Sequence, residues 1–250
     1  GPLGIRIEPW GKTSIEEARG IFREQAEALL AGEVDVFILE TFSDLNEVYA
    51  AIQGVHDISD RPLIAQMTIE EDGNSLEGTP PEIFAKRLEE WGADVVGLNC
   101  SVGPQTMLDS IERIAAITSR KLVVQPNAGK PKSIEGRNIY LCSPEYMASY
   151  AKKFVQYGVR MVGGCCGTTP QHIKAMRGAV RSMSPGVVTR PAPGMVVPGT
   201  ALPGEAGSPI GLGSKSRLGA KLGSGEFVKI VEMIPPKGHD FDRAIEAAKY

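Results

Sequence analysis

At 250 residues, with 42% hydrophobic and 23% charged side chains, the chain has enough apolar mass to bury a sizeable core, which excludes a wholly disordered protein. The formal net charge of -3, from 27 basic and 30 acidic residues without a basic run, argues against nucleic acid as a partner. No apolar stretch approaches the ~20 residues that cross a bilayer, and no signal-peptide layout opens the chain, so we expect a cytoplasmic protein without a membrane partner.

Short apolar runs rich in β-branched residues alternate with longer amphipathic stretches between Ser14 and Met183. Nearly continuous apolar character, rather than strict alternation, is typical of parallel strands buried on both faces. Ser14 and Thr79 are each followed three residues later by a glutamate, which predicts helix N-caps. The sequence therefore predicts an α/β protein of repeated βα units, with its strands in five runs: Val34–Glu40, Pro62–Ile69, Asp94–Cys100, Lys121–Asn127 and Val159–Cys165.

Two architectures fit this pattern, a doubly wound sheet and a (β/α)8 or TIM barrel. The sequence contains neither a GxGxxG nor a GxxxxGK[ST] loop, which a nucleotide-binding doubly wound sheet would place after a strand. Polar and sulfur-bearing residues stand instead at the carboxyl ends of several runs, where barrel enzymes assemble their sites. This placement favours the barrel.

The four cysteines are too few for a disulfide scaffold, so their positions matter. Cys100 closes the third run, and the pair Cys165 and Cys166 closes the fifth, so in a barrel three thiolates can converge on one ion with a fourth position open. An all-sulfur ligand set favours zinc over magnesium, calcium or manganese. Spacing alone leaves redox or packing roles open, and Cys142 is expected to be a small buried hydrophobe.

Three further polar residues stand at strand ends. Glu40 ends an otherwise apolar run, where a carboxylate is costly unless paired, so it either contacts a substrate or forms a salt bridge with a neighbouring loop. Asn99 and Asn127 either hydrogen-bond the polar groups of an amino acid or satisfy the backbone of nearby loops. All three are candidate substrate-binding residues.

Four motifs at these strand ends resemble the homocysteine S-methyltransferase family: ILET (Ile38–Thr41), GLNC (Gly97–Cys100), QPNAG (Gln125–Gly129) and VGGCCGTTPQ (Val162–Gln171). The resemblance covers residues 1–183 and implies a (β/α)8 barrel in which Cys100, Cys165 and Cys166 hold Zn²⁺. It also implies that the thiol of homocysteine takes the fourth position, that Glu40 meets its α-amino group, and that a methyl donor converts it to methionine. A thiol redox or metal-buffering barrel without methyl transfer is the alternative.

Members of this family begin with a strand that carries an Asp-Gly motif, and they have three strands before the region that this chain matches. The barrel is therefore expected to lack its first three strands here. This comparison predicts that the chain is part of a longer protein, truncated at both ends.

The composition changes after residue 183. Residues 184–225 contain ten glycines and six prolines in 42 residues, which predicts a flexible linker. Beyond it, FVKIVEMIPPKG (Phe227–Gly238) resembles the opening strand of methylenetetrahydrofolate reductase, so residues 226–250 are expected to begin a second α/β barrel. The resemblance implies that Glu232 is the counterpart of that family's proton donor, with a surface strand glutamate as the alternative. It implies FAD only if a complete reductase domain is present in a bifunctional parent protein.

Overall fold

The chain forms an α/β fold built around a parallel sheet. The structure, a computed structural model, describes residues 1–134, 137–181, 183, 211–226 and 228–229. In chain order its strands are β1 (Phe37–Phe42), β2 (Leu63–Met67), β3 (Val95–Asn99), β4 (Lys121–Gln125), β5 (Lys132–Ile134), β6 (Arg137–Ile139), β7 (Val159–Val162) and β8 (Val228–Lys229). Its helices are α1 (Ile15–Ala31), α2 (Leu45–His56), α3 (Pro81–Glu90), α4 (Pro104–Ile117), α5 (Pro144–Gln156), α6 (Pro170–Val180), α7 (Leu212–Lys215) and α8 (Arg217–Ser224).

The main sheet has the strand order β1-β2-β3-β4-β7-β8, and every neighbouring pair in it is parallel. Each of the five predicted runs contains one of its strands, and β1 extends two residues beyond Glu40 to Phe42. The prediction of an α/β protein with a parallel sheet is confirmed. The antiparallel hairpin of β5 and β6 was not predicted, because its short strands are exposed along their whole length and carry no run of apolar residues.

The two faces of the sheet have different apolar partners. One face packs against the helices, and the largest side chains of that core, including Phe42, Phe84 and Phe154, are fully buried. The opposite face, called the inner face below, carries a smaller buried cluster on four neighbouring strands: Ile64, Val95, Val123 and Met161. Burying each such side chain contributes about 1.5–3 kcal/mol, so both faces stabilise the sheet.

The helix starts test the predicted caps. Ser14 caps α1, since its hydroxyl accepts a hydrogen bond from the amide of Glu17 at 3.1 Å. The prediction for Thr79 is wrong, because Pro80 is the N-cap of α3. The amide of Thr79 instead donates to the Ser75 hydroxyl at 3.1 Å, which places Thr79 in the preceding turn.

Residues 211–225, the last part of the segment predicted to be a linker, contain α7 and α8. Leu222 of α8 is fully buried and joins the cluster on the inner face, so burial outweighs the poor helix propensity of the neighbouring glycines. Residues 184–210 lie outside the described residues. Val228 and Lys229, from the run predicted to open a second domain, pair with β7 at the edge of the main sheet. No helix within the described part of the chain is both long and apolar enough to cross a membrane.

Gly54 of α2 lies against α1, and we expect Gly54→Ala to destabilise the fold by about 1–3 kcal/mol. A Cβ at this position would come 2.8 Å from the carbonyl oxygen of Arg19 and 2.9 Å from the backbone nitrogen of Arg23. Because both are backbone atoms, the helices must move apart to admit a methyl group. The free energy of unfolding, measured in urea, gives the change.

Gly20 supplies the matched control on α1. Apart from the adjoining backbone of α1, no heavy atom lies within 4 Å of a Cβ placed at this position. Gly20→Ala should therefore stabilise the chain by about 0.5–1 kcal/mol through helix propensity. Stabilisation by both substitutions would show that α1 and α2 are not in close contact at Gly54.

Candidate metal centre

Three of the four cysteines lie together at the carboxyl edge of the parallel sheet. Cys100 directly follows β3, and Cys165 and Cys166 follow β7 after Gly163 and Gly164. Strand β4 lies between β3 and β7 and runs parallel to both. Because parallel strands end at the same edge of a sheet, this topology brings the two cysteine segments together.

The three sulfurs are spaced as zinc ligands are. The Sγ of Cys166 lies 3.7 Å from that of Cys100 and 3.9 Å from that of Cys165, and all three lie within 4.8 Å of one another. Zn–S bonds of about 2.3 Å at tetrahedral angles separate neighbouring sulfurs by about 3.8 Å. A disulfide needs about 2.05 Å, and none of the four cysteines, all of them within the described residues, forms one. The cluster therefore fits a zinc ion with one ligand position left open.

Cys142 is not a member of this cluster. Its amide donates to the carbonyl of Ala128 at 3.0 Å, and its sulfur would lie 2.7 Å from a Cβ at Gly129. Burial raises the pKa of its thiol. These contacts match the packing role expected for Cys142.

Left-handed backbone at the end of β3 directs Cys100 to the cluster. Cys100 and Ser101 have φ angles of 62° and 60°. The amide of Cys100 donates to the carbonyl of Gln125 at 3.0 Å, and its carbonyl accepts from the amide of Val102 at 2.8 Å. Side chains other than glycine cost about 1–2 kcal/mol each in this conformation, so these hydrogen bonds hold a strained turn in place.

The loop after β7 is anchored to the segment after β4. The amide of Cys165 donates to the carbonyl of Pro126 at 2.8 Å, and the amide of Cys166 donates to Oδ1 of Asn127 at 3.1 Å. The carbonyl of Cys166 accepts from the amide of Ala128 at 2.8 Å. Because the backbone is held on both sides of the cysteine pair, the two sulfurs are positioned before any metal binds.

Two glycines permit this loop. A Cβ at Gly164 would overlap the side chain of Thr168, and a Cβ at Gly167 would overlap the ring of Tyr140. Gly167 also has a φ of 78°, which L side chains rarely adopt. The loop can therefore approach Tyr140 closely only with glycine at position 167.

Tyr140, just after β6, is a site residue that the sequence did not indicate. Its hydroxyl hydrogen-bonds the side chain of Cys166. Burial, and then the adjacent Cys166 sulfur, raise the pKa of Tyr140, so the hydroxyl keeps its proton and donates to the sulfur. A single tyrosine in a loop has no spacing pattern, and no sequence signal could have identified it.

The electrostatics of the cluster favour a bound cation. Desolvation first, and then the adjacent Cys100 sulfur, raise the pKa of Cys166 in the metal-free chain. Thiolates this close together repel one another, whereas a metal ion offsets that repulsion and deprotonates its thiol ligands. Cys166 therefore favours its neutral thiol form without a metal, and it would be an anionic ligand with one.

We expect the alkylation of Cys166 by iodoacetamide in the metal-free chain to show its midpoint at a higher pH than that of an ordinary thiol, because its pKa is raised. The sign follows from the raised pKa, because only the thiolate reacts and less of it is present at any given lower pH. The rate of modification, followed by mass spectrometry against a short unstructured cysteine peptide, measures the shift. A midpoint at or below that of the peptide would contradict the raised pKa.

Asn99 and Asn127 both brace neighbouring backbone. Asn99 is 0% exposed; its Oδ1 accepts from the amide of Thr41 at 2.7 Å, and its Nδ2 donates to the Thr41 hydroxyl at 2.8 Å. Thr41 has a φ of 68° and directly follows Glu40. Asn127 holds the amide of Cys166, as described above. Asn127 thus braces a loop, as one of the two predicted roles has it, whereas Asn99 braces the end of β1. Substrate contact by either residue stays a prediction.

Glu40 lies on the inner face of the sheet. Leu39 packs into the helix-covered core, whereas Ile38 packs against the inner cluster, so the alternation of side chains places Glu40 on the same face as Ile38. Glu40 is half-buried, and its contact with a substrate stays a prediction. Glu232, predicted from the reductase-like motif, lies outside the described residues.

The chain is similar in sequence to a known family and to two methionine synthases. The family model described as "Homocysteine S-methyltransferase" matches residues 1–180. Methionine synthase from Mycobacterium leprae (strain TN) is 31% identical over 196 residues, and that from Mycobacterium tuberculosis (strain ATCC 25618 / H37Rv) is 32% identical over 189 residues. The matched regions cover 76% and 73% of this chain but only 16% of each relative.

Solved structures with a similar fold include the homocysteine methyltransferase MmuM from Escherichia coli. Its apo form gives a TM-score of 0.56 at 24% identity and covers 67% of this chain and 58% of that chain. Its metallated form gives a TM-score of 0.56 at 23% identity, with 67% and 52% covered. At these identities the likeness shows a shared fold.

Proposed function

We propose that this chain, which belongs to the homocysteine S-methyltransferase family, binds zinc through Cys100, Cys165 and Cys166 and transfers a methyl group to the thiol of homocysteine, forming methionine. The observation that carries the proposal is the cluster of three sulfurs at tetrahedral zinc spacing, with the open position that a substrate thiol would need. Cys166 is exposed, so a substrate can reach the cluster from solvent.

The residues of the chain would act by binding and orientation. A bound zinc ion would supply Lewis acidity that keeps a coordinated substrate thiol in its nucleophilic thiolate form near neutral pH. The hydrogen bonds of Asn127 and Tyr140 to Cys166 hold that ligand in position. Methyl transfer then needs in-line approach of the donor to the substrate sulfur, and no general base on the protein is required at that step.

Glu40 is the proposed partner of the substrate α-ammonium group. It lies on the inner face at the carboxyl end of β1, and the strained residue that follows it is held by Asn99. A charge-assisted hydrogen bond to a carboxylate is strong enough to select an amino acid over a neutral thiol.

The wider architecture is also a proposal. We infer that residues 1–183 are part of a (β/α)8 barrel, that residues 184–225 connect it to a further domain, and that residues 226–250 begin a reductase-like barrel. In that arrangement Glu232 would serve a reductase that binds FAD. The methyl donor would be set by parts of the parent protein beyond the thiol site.

Methionine formation tests the proposed reaction. The zinc-loaded chain is incubated with homocysteine and, separately, methylcobalamin, S-methylmethionine, betaine or a methyl-folate, and methionine is measured by mass spectrometry. We expect product with one donor, and none when cysteine replaces homocysteine. A zinc-loaded chain that binds no homocysteine and forms no methionine with any donor would favour the redox or metal-buffering alternative.

Glu40→Gln tests the proposed ammonium contact. We expect the affinity for homocysteine to fall about tenfold or more, because a charge-assisted bond becomes a neutral one, while the zinc content stays unchanged. Isothermal titration with homocysteine measures the dissociation constant. The control is Glu77→Gln, on an exposed loop residue, which should bind as the unmodified chain does. Equal affinities for the two variants would remove Glu40 from the substrate site.

A further inference from the structure

The inner face of the sheet changes from apolar to polar toward the metal centre. The buried cluster described above includes Ile64 on β2 and Val123 on β4. Side chains alternate along a strand, so Gln66 and Gln125, two residues further on, lie on the same face. They lie nearer the carboxyl edge, where the sulfurs of the metal centre are located.

Both glutamines are buried and incompletely hydrogen-bonded. Gln66 is 0% exposed and Gln125 is 3% exposed, and the Oε1 atom of each lacks a hydrogen-bond partner among the described residues. The Nε2 of Gln66 donates to the carbonyl of Leu98 at 3.2 Å, which identifies the other end of that amide as the oxygen. Buried polar groups are nearly always paired, so two orphaned acceptors on one face require a partner.

The two acceptors lie close to the proposed catalytic residues. The carbonyl of Gln125 accepts a hydrogen bond from the amide of Cys100 at 3.0 Å. Gln125 pairs with Asn99, the residue directly before Cys100, so it lies next to the metal centre in the sheet. Leu39 pairs with Ala65 and Phe42 with Met67, so Glu40 and Thr41 together lie opposite Gln66.

Gly97 leaves room beside Gln66. It pairs with Gln66 on one side and with Val123 on the other, so it lies in the strand that separates β2 from β4. A Cβ at this position would overlap the carbonyl oxygen of Val123, so no side chain is tolerated there. On the same face of β3, Asn99 pairs with Gln125, so this strand is open beside Gln66 and carries a polar side chain beside Gln125.

We propose that the amide oxygens of Gln66 and Gln125 accept hydrogen bonds from the α-ammonium group of the substrate and determine the preference for an amino-acid thiol. The inference rests on the proposed function. An ammonium group has three N–H donors and no acceptor, which suits two amide oxygens beside the Glu40 carboxylate.

Cobalt substitution permits a test that does not depend on methyl transfer. The full chain is loaded with Co²⁺ and titrated with homocysteine or with 4-mercaptobutanoate, the same thiol without the ammonium group. The sulfur-to-cobalt charge-transfer band reports each thiol. We expect the unmodified chain to bind homocysteine at least about tenfold more tightly, and Gln125→Met and Gln66→Met each to reduce this preference by about tenfold.

Two further variants separate hydrogen bonding from packing. Gln125→Glu keeps acceptor oxygens and should keep the preference, whereas Gln156→Met changes an exposed glutamine in α5 and should change nothing. The inference is supported if the methionine variants lose the preference for homocysteine over 4-mercaptobutanoate and Gln125→Glu keeps it. The comparison of the two variants at position 125 decides this even if Gln66→Met fails to fold. Full preference in Gln125→Met, or equal loss in Gln125→Glu, overturns it.

The test also separates the two proposals from each other. If the unmodified chain binds both thiols equally, the role of the glutamines is wrong and the zinc-thiol chemistry stands. If neither thiol changes the cobalt spectrum, the proposed function fails and the inference fails with it.

Discussion

Replacement of Cys166 by serine should remove zinc from the purified chain while leaving it folded. The sulfur of Cys166 lies 3.7 Å from that of Cys100 and 3.9 Å from that of Cys165, so the substitution removes the sulfur that lies near both others. A serine hydroxyl keeps its proton near neutral pH and is a poor replacement for a thiolate. We expect the zinc affinity to fall more than about a hundredfold, beyond the ~10–100-fold that loss of a supporting contact costs. Zinc per chain, measured by elemental analysis after gel filtration, reports the loss.

Cys142→Ser is the matched control for this prediction. It makes the same chemical change at the cysteine outside the cluster, so the chain should keep about one zinc ion. Circular dichroism of both variants establishes that they are folded. Equal zinc contents in Cys166→Ser and Cys142→Ser would contradict the assignment of Cys166 as a ligand.

Asn99→Ala should be the most damaging of the substitutions considered at the polar strand ends, with an expected loss of about 2–4 kcal/mol in the free energy of unfolding. The side chain is fully buried and makes two hydrogen bonds to Thr41. Alanine removes both bonds and withdraws support from the left-handed conformation of Thr41. Because Thr41 follows Glu40, the affinity for homocysteine should fall as well. Urea denaturation and homocysteine titration measure the two effects.

Asn138→Ala provides the comparison for Asn99→Ala. Asn138 is exposed in β6, and its loss should change the stability by no more than about 0.5 kcal/mol. If Asn99→Ala is as stable as Asn138→Ala, the bracing of β1 by β3 has no energetic importance.

Much of the fold could be predicted because its strands differ from the rest of the chain. The parallel strands are buried on both faces, so their sequences are nearly continuous apolar runs. Each of the five predicted runs overlaps one strand of the main sheet. Cysteines placed directly after such runs lie at one edge of the sheet by topology alone, which is why the cluster of Cys100, Cys165 and Cys166 was predictable.

Other parts of the site could not be predicted, because they depend on contacts between residues far apart in sequence. Tyr140 meets Cys166 only through the hairpin of β5 and β6, whose exposed strands have no apolar pattern. Helix α8 contains glycines that predict a linker, and it is stabilised by the burial of Leu222 against strands more than fifty residues earlier in the chain.

The sequence by itself determined the strand positions, the three cysteines of the cluster and the family, because hydrophobic periodicity and short motifs are local properties of the chain. Only the tertiary structure decided how the sulfurs are spaced, that Asn99 braces β1, and that Asn127 braces the loop after β7. It also decided that the buried amide oxygens of Gln66 and Gln125 have no hydrogen-bond partner in the part of the chain that the structure describes. A residue type states which hydrogen bonds a side chain can make, whereas the packing of distant segments determines which of them it does make.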